Sequence, residues 1–196
     1  MRFLVLISIL LGTCSGPDLQ NIETRSDDGS LFESYHVDLD GLKQSEYKRY
    51  TAGILREMAH YQNDTLQGQR IIYDSLGRHI ITETYQMGSF AGPYIIYYQD
   101  GTIEQEGSYL NNAMEGIWTT YYPNGQIKEE VTMAGNEENG PFKEYHENGA
   151  LKAVGQYLNG PKEDGKLKIY DKNGDLEREM ECTSGICRTV DKEETE

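Results

Sequence analysis

From Gly92 onward the chain alternates between short apolar runs and polar corners at a fixed beat. The stretch GIWTTYYPNGQIKEEVTM, residues 116–133, shows one full cycle. After the glycine comes a run rich in β-branched and aromatic residues, 117–122, which favours an extended strand. The corner Tyr122-Pro123-Asn124-Gly125 follows. The return run then alternates: Ile127, Glu129, Val131 and Met133 share one face, and Lys128, Glu130 and Thr132 the other. The strand openings PYIIYY, PFKEY and KLKIY and the corners YQDG, HENG and DKNG repeat the theme. Asn-Gly and Asp-Gly tolerate the positive φ of a tight reversal, so each cycle predicts one β-hairpin, with a looser Gly/Asn/Glu-rich loop leading to the next.

The cycle is an internal repeat. Gly68, Gly92, Gly116, Gly140 and Gly165 are spaced 24, 24, 24 and 25 residues apart. A second series, Gly77, Gly101, Gly125, Gly149 and Gly174, lies nine residues behind the first, and Gly53 extends it backwards. Tyrosines fall every twelve residues: Tyr61, Tyr73, Tyr85, Tyr97, Tyr109 and Tyr121, then Met133, Tyr145, Tyr157, Tyr170 (one residue late) and Cys182. Twelve residues make one strand and one turn, so these rings are expected to form a column across the sheet. The fold class that follows is all-β: an open, twisted, antiparallel β-meander of tandem 24-residue hairpin repeats. Residues 68–187 carry the repeats and residues 41–67 a degenerate capping repeat. There, YTAGILREMAHYQNDTLQG (50–68) fits the second half of the unit, while a helix over roughly 43–61 competes through its Leu, Arg, Glu, Met and Ala. Residues 188–196 read as a disordered acidic tail.

The opening MRFLVLISILLGTC has Arg2, an apolar run from Phe3 to Leu11, and a cysteine at the end of the run. The run is too short to span a bilayer and suits a signal peptide. Leu11-Gly12-Thr13-Cys14 resembles the lipobox of bacterial lipoproteins, with Thr13 in place of the usual Gly, Ala or Ser. That resemblance implies removal of residues 1–13 and acylation of Cys14, leaving a protein held on the cell envelope, the outer membrane first, through lipid alone. An ordinary signal peptide with a chance cysteine is the alternative. Residues 14–40, polar and acidic, are expected to be a flexible tether, with 15–40 spanning about 25–30 Å.

Charge narrows the partners. The chain carries 33 acidic and 18 basic residues, a net −15. Such a surface repels nucleic-acid phosphates and anionic lipid headgroups, and suits solubility or a basic protein partner. Fifteen Tyr against four Phe and one Trp point to half-wet surfaces rather than a thick dry core.

Chemistry is sparse. His36, His60, His79 and His146 lack metal-pair spacing, and no nucleophile elbow or phosphate-cradling loop is present, so neither metal, cofactor nor enzymatic activity is expected. DKNGD, residues 171–175, is explained by turn chemistry. Cys182 and Cys187 lie five residues apart around Ser-Gly, a spacing compatible with a disulfide across a tight turn in an oxidising compartment, or with two free thiols.

The cadence Gly-x-aromatic-x-x-Tyr-Tyr-x-Asn-Gly, followed by Ile/Leu-Lys and a later Tyr-x-Asn-Gly, resembles the MORN-repeat variant of bacterial YwqK-family antitoxin-like proteins. The resemblance covers about residues 50–182. It implies the hairpin fold with Tyr73, Tyr97, Tyr121, Tyr145 and Tyr170 as repeat-defining residues, and a non-enzymatic binding role. The leading expectation is a protein-binding scaffold whose contact face includes Tyr94, Tyr98, Trp118 and Tyr122, because exposed Tyr and Trp concentrate binding energy. Immunity against a toxin and binding of cell-wall glycan are the alternatives.

Overall fold

The computed structural model describes residues 18–190, together with the backbone strand Leu4–Ser8. Every regular element is a strand, and the chain divides between Gly101 and Thr102 into two compact units. The first contains β1 (Leu4–Ser8), β2 (Gln20–Arg25), β3 (Leu31–Val37), β4 (Lys43–Thr51), β5 (Ile54–Gln62), β6 (Thr65–Leu66), β7 (Gly68–Tyr73), β8 (His79–Gln86), β9 (Ser89–Phe90) and β10 (Gly92–Tyr97). The second contains β11 (Ile103–Leu110), β12 (Ala113–Tyr121), β13 (Ile127–Ala134), β14 (Glu137–Tyr145), β15 (Leu151–Tyr157), β16 (Gly165–Tyr170), β17 (Leu176–Thr183) and β18 (Ile186–Thr189). Within each unit, strands that follow one another pair antiparallel, as in Gly116↔Met133, Val131↔Phe142 and Phe142↔Gly155, giving the meander that the repeat predicts. Pairs β6–β7 and β9–β10 are each one broken strand, laid along β5 and β8 respectively.

Turn chemistry divides the labour differently from the expectation. At the corners of the second unit only glycine takes positive φ: Gly125 at 81°, Gly149 at 84° and Gly174 at 91°. Gly125 N–H donates to the Tyr122 carbonyl, and a bulge between Thr120 and Tyr121 absorbs the extra residue. Asn124 keeps ordinary φ; its Oδ1 accepts the Gln126 N–H while its Nδ2 donates to the Glu147 carbonyl of the next corner, 3.0 Å away. Asn148 reaches the Lys172 carbonyl in the same way. The loops expected to be loose are mostly the tight ones. Asn111-Asn112 and Gly135-Asn136 are two-residue reversals with both φ positive, the hand that matches strand twist. Only residues 158–164 open into a wider loop.

The tether expectation fails for residues 20–37. They form the β2–β3 hairpin in register Gln20↔Val37 to Thr24↔Glu33, and β3 pairs with β4. These strands are too polar to fold alone, but β4 supplies a ready edge, and Tyr47 donates its hydroxyl to Glu33 at 2.8 Å. The capping repeat of residues 41–67 is therefore internal to its unit, and it is extended rather than helical, β4 pairing β5 from Ser45↔Tyr61 to Thr51↔Ile54. The tail begins later than residue 188, because β18 continues to Thr189 and Val190 N–H donates to Glu179. Cys14 and residues 191–196 lie outside the described residues.

Candidate interaction faces

Alternation and register give each face of the second unit its own chemistry. One face carries Trp118, Val131, Phe142, Ala153 and Cys182, all buried, and Met133, Tyr157 and Leu167 pack against Val131, Phe142 and Ala153. A single sheet layer buries these groups by laying large rings flat over glycine. A Cβ built on Gly107 would stand 2.2 Å from Trp118 Cδ2, and one on Gly155 2.8 Å from Phe142 Cε1. Tyr109 meets Trp118 edge-on at 5.3 Å, and Tyr157 stacks on Phe142 at 4.3 Å.

The opposite face is polar and open. Thr119, Glu130, Lys143, Val154, Lys168 and Glu179 stand side by side across six strands. Among them lies a shallow groove of about 130 Å³ lined by Ile117, Thr132, Pro141 and Lys143, with Ile117 62% exposed. Tyr121 and Tyr145 donate to Glu106 and Glu130 at 2.6 and 2.7 Å. Bonding to Glu106 pushes the Tyr121 hydroxyl up to about 12; burial, then the bond to Glu130, does the same for Tyr145.

In the first unit the repeat position held by Trp118 and Phe142 falls on Tyr94 and, 48 residues before Trp118, on Arg70. Arg70 Nε donates to Glu57 at 2.7 Å and its Nη1 to Glu83 at 3.0 Å; Arg49 also donates to Glu57 and Tyr85 to Glu83. Glu57 and Glu83 are buried, so an ionic chain replaces the rings. Burial pushes the Glu57 carboxyl up, but the bonds and charges of Arg70 and Arg49 outweigh it and hold it below the usual range. Nearby, Lys43 Nζ sits 4.8 Å from the ring centres of Tyr35 and Tyr47 and 5.4 Å from Tyr61.

Of the four residues expected to form one contact face, Tyr94 and Tyr98 belong to the first unit and Trp118 and Tyr122 to the second, and Trp118 is buried rather than exposed. Trp118 is 5% exposed, because its indole occupies the bare backbone of Gly107. Tyr122 lies at a corner, its hydroxyl donating to the Tyr145 carbonyl at 2.9 Å, and Tyr98 starts the preceding corner. Tyr94 is half-buried, its ring 6.4 Å from Phe90. The single ring column is also overturned. Antiparallel strands reverse direction, so residues twelve apart sit at opposite ends: Tyr109, Met133, Tyr157 and Cys182 at the loop end, Tyr121, Tyr145 and Tyr170 at the corner end. Loop-end members oppose the first-series glycines, as in Gly116↔Met133 and Gly140↔Tyr157. Cys182 and Cys187 are register partners and their sulfurs are bonded. Sequence reasoning missed Ile117, whose signal was present: an isoleucine out of phase with the buried Trp118 must face the other way.

Among the described residues, no cluster of His, Cys, Asp and Glu is arranged to hold a metal ion, and no helix is long and apolar enough to cross a membrane. No curated protein is significantly similar to this chain. Four successive segments, residues 91–111, 114–134, 138–159 and 163–181, match the MORN repeat variant, and they lie along strands β10 to β17.

Proposed function

We propose that this protein is a non-enzymatic scaffold, anchored to the bacterial cell envelope by acylated Cys14, that binds a protein partner through the open face of its second unit. The observation carrying the reading is the asymmetry of the two faces. The rings are spent on holding the sheet together, while Ile117 and Pro141 stand exposed between Glu130 and Lys143. An apolar centre with a charged rim is the composition of a protein-binding patch. Repeats stacked by lateral hydrogen bonds give that patch a firm base.

The test is capture of the tagged full chain from solubilised envelopes, beside Ile117→Lys, which places a charge at the centre without touching the buried face. One protein recovered in near-equal amount and lost with the variant is expected, and its identity separates an envelope component from a toxin. Equal recovery with the variant, or retention on cell-wall polymer instead, overturns the reading.

A further inference from the structure

The edge of the first unit is formed by β2, and in the full chain this edge is not bare. β1 lies along it antiparallel, in five register pairs from Leu4↔Arg25 to Ser8↔Asn21. β1 belongs to the segment whose removal the proposed export reading requires, and the inference here rests on that reading. Maturation would strip the edge and leave the outward backbone groups of β2 without strand partners. The same step ties the edge to the membrane. Only residues 15–19 separate Cys14 from Gln20, so the anchor holds β2 within about 20 Å of the lipid, since an extended chain covers at most ~3.5 Å per residue. All copies then present the same open edge at the same height.

We propose that the β2 edge of the mature protein pairs antiparallel with the β2 edge of a second copy, the leader strand guarding this edge until it is removed. The sequence Gln20-Asn21-Ile22-Glu23-Thr24-Arg25 selects the register. Residues opposite each other across a two-fold axis perpendicular to the sheet share a face, which restricts pairing to registers that place one residue on its own symmetry mate. With Glu23 on the axis, two carboxylates face each other, and like charges directly opposed are unfavourable. With Thr24 on the axis, only three residues of each strand overlap. With Ile22 on the axis, five residues of each strand pair and the centre is apolar. Asn21 then opposes Glu23 of the other copy, and Gln20 opposes Thr24.

In that last pairing the carboxamide of the facing Gln20 supplies both a donor and an acceptor to the Thr24 hydroxyl, which makes no hydrogen bond among the described residues. Arg25 stays with Glu23 of its own strand, 3.1 Å away, so the charges near the axis remain compensated. Five paired residues make a small contact that dilute solution would not hold. Two anchored chains confined to one membrane meet at a much higher effective concentration, which is the condition under which such a contact is populated.

The test uses the full chain expressed in the exporting cell. The mature N-terminus is first read by mass spectrometry. With Cys14 acylated and Cys182 bonded to Cys187, Ile22→Cys introduces the sole free thiol. Mild oxidation of membranes should convert Ile22→Cys to a disulfide-linked dimer at least about fivefold more efficiently than Ile186→Cys, an exposed position on β18 that reports random collision. Single-molecule photobleaching of the unmodified sequence, labelled at its C-terminus, should show two-step traces and covers the case of a variant that does not fold. A cleaved, acylated chain with collision-level cross-linking and one-step traces overturns the pairing while leaving the anchoring intact. Stronger cross-linking through Glu23→Cys overturns the register. A chain that keeps residues 1–13 overturns both the export reading and the pairing.

Discussion

Replacing Gly107 by alanine tests how one sheet layer buries an indole. On backbone grounds the change should help, because Gly in a strand is less favourable than Ala by about 0.5–1 kcal/mol. Gly107 has no positive φ to defend, so no strain opposes the new side chain. The contact decides otherwise. The added Cβ would stand 2.2, 2.4 and 2.7 Å from Trp118 Cδ2, Cε2 and Cε3, well inside the 3.4 Å at which ordinary carbon contact begins. The ring is rigid and 5% exposed, with Tyr109 against it, so it yields only by leaving its seat. Overpacking of this kind costs about 1–3 kcal/mol, and the depth of overlap places it near the upper figure, leaving a net loss of about 2 kcal/mol. For a chain of this size that is a fall in Tm of roughly 4–8 °C. Urea unfolding reads it directly, because Trp118 is the sole tryptophan and reports from the site itself. The decisive comparison is the cycle with Trp118→Ala, followed by circular dichroism. Once the indole is gone, Gly107→Ala should become neutral or stabilising, a coupling of about 2–3 kcal/mol. A gain in stability with Trp118 present, or an equal loss with and without it, would refute the account.

Arg70→Ala should destabilise by about 2–4 kcal/mol, since it leaves Glu57 with Arg49 alone and Glu83 with Tyr85 in buried surroundings. Acid titration of stability gives the sign: Glu57 is depressed in the fold, so its contribution is present above the unfolded value near 4.5 and is lost as pH falls through the folded one; Arg70→Ala should flatten or reverse that slope. Glu129 behaves oppositely, because burial, then Glu144 and Glu138, raise its carboxyl. Its penalty is present above the folded pKa and is relieved as pH falls to the unfolded value, so Glu129→Gln should stabilise at pH 7 and do little at pH 4 in paired urea titrations. Reducing the Cys182–Cys187 bond should lower stability by about 2 kcal/mol on the loop-entropy scale for a six-residue loop, with hydrogen exchange quickening first in β18.

The recurring hairpin was legible because its signals are local. A glycine at the αL position of a corner and a period-two alternation are properties of a dozen consecutive residues, and neither needs a distant partner to be read. The same locality limited the reading. Residues 20–37 looked unstructured because their own apolar content is low, and the edge of β4 that orders them is supplied from elsewhere in the chain. Trp118 departs from the expected contact face for a similar reason: it looks like an exposed anchor until Gly107 is set beneath it.

By itself, then, the sequence determined the repeat length, the positions of the reversals and the all-β class, all of which follow from turn conformation and side-chain alternation. Only the tertiary structure decided which face is dry. It set the register by which antiparallel strands send residues twelve apart to opposite ends of the sheet. It also placed Arg70 between Glu57 and Glu83 where the second unit has rings. Those outcomes depend on what lies across the neighbouring strand, and a pleated sheet places that neighbour by hydrogen-bond register rather than by closeness along the chain.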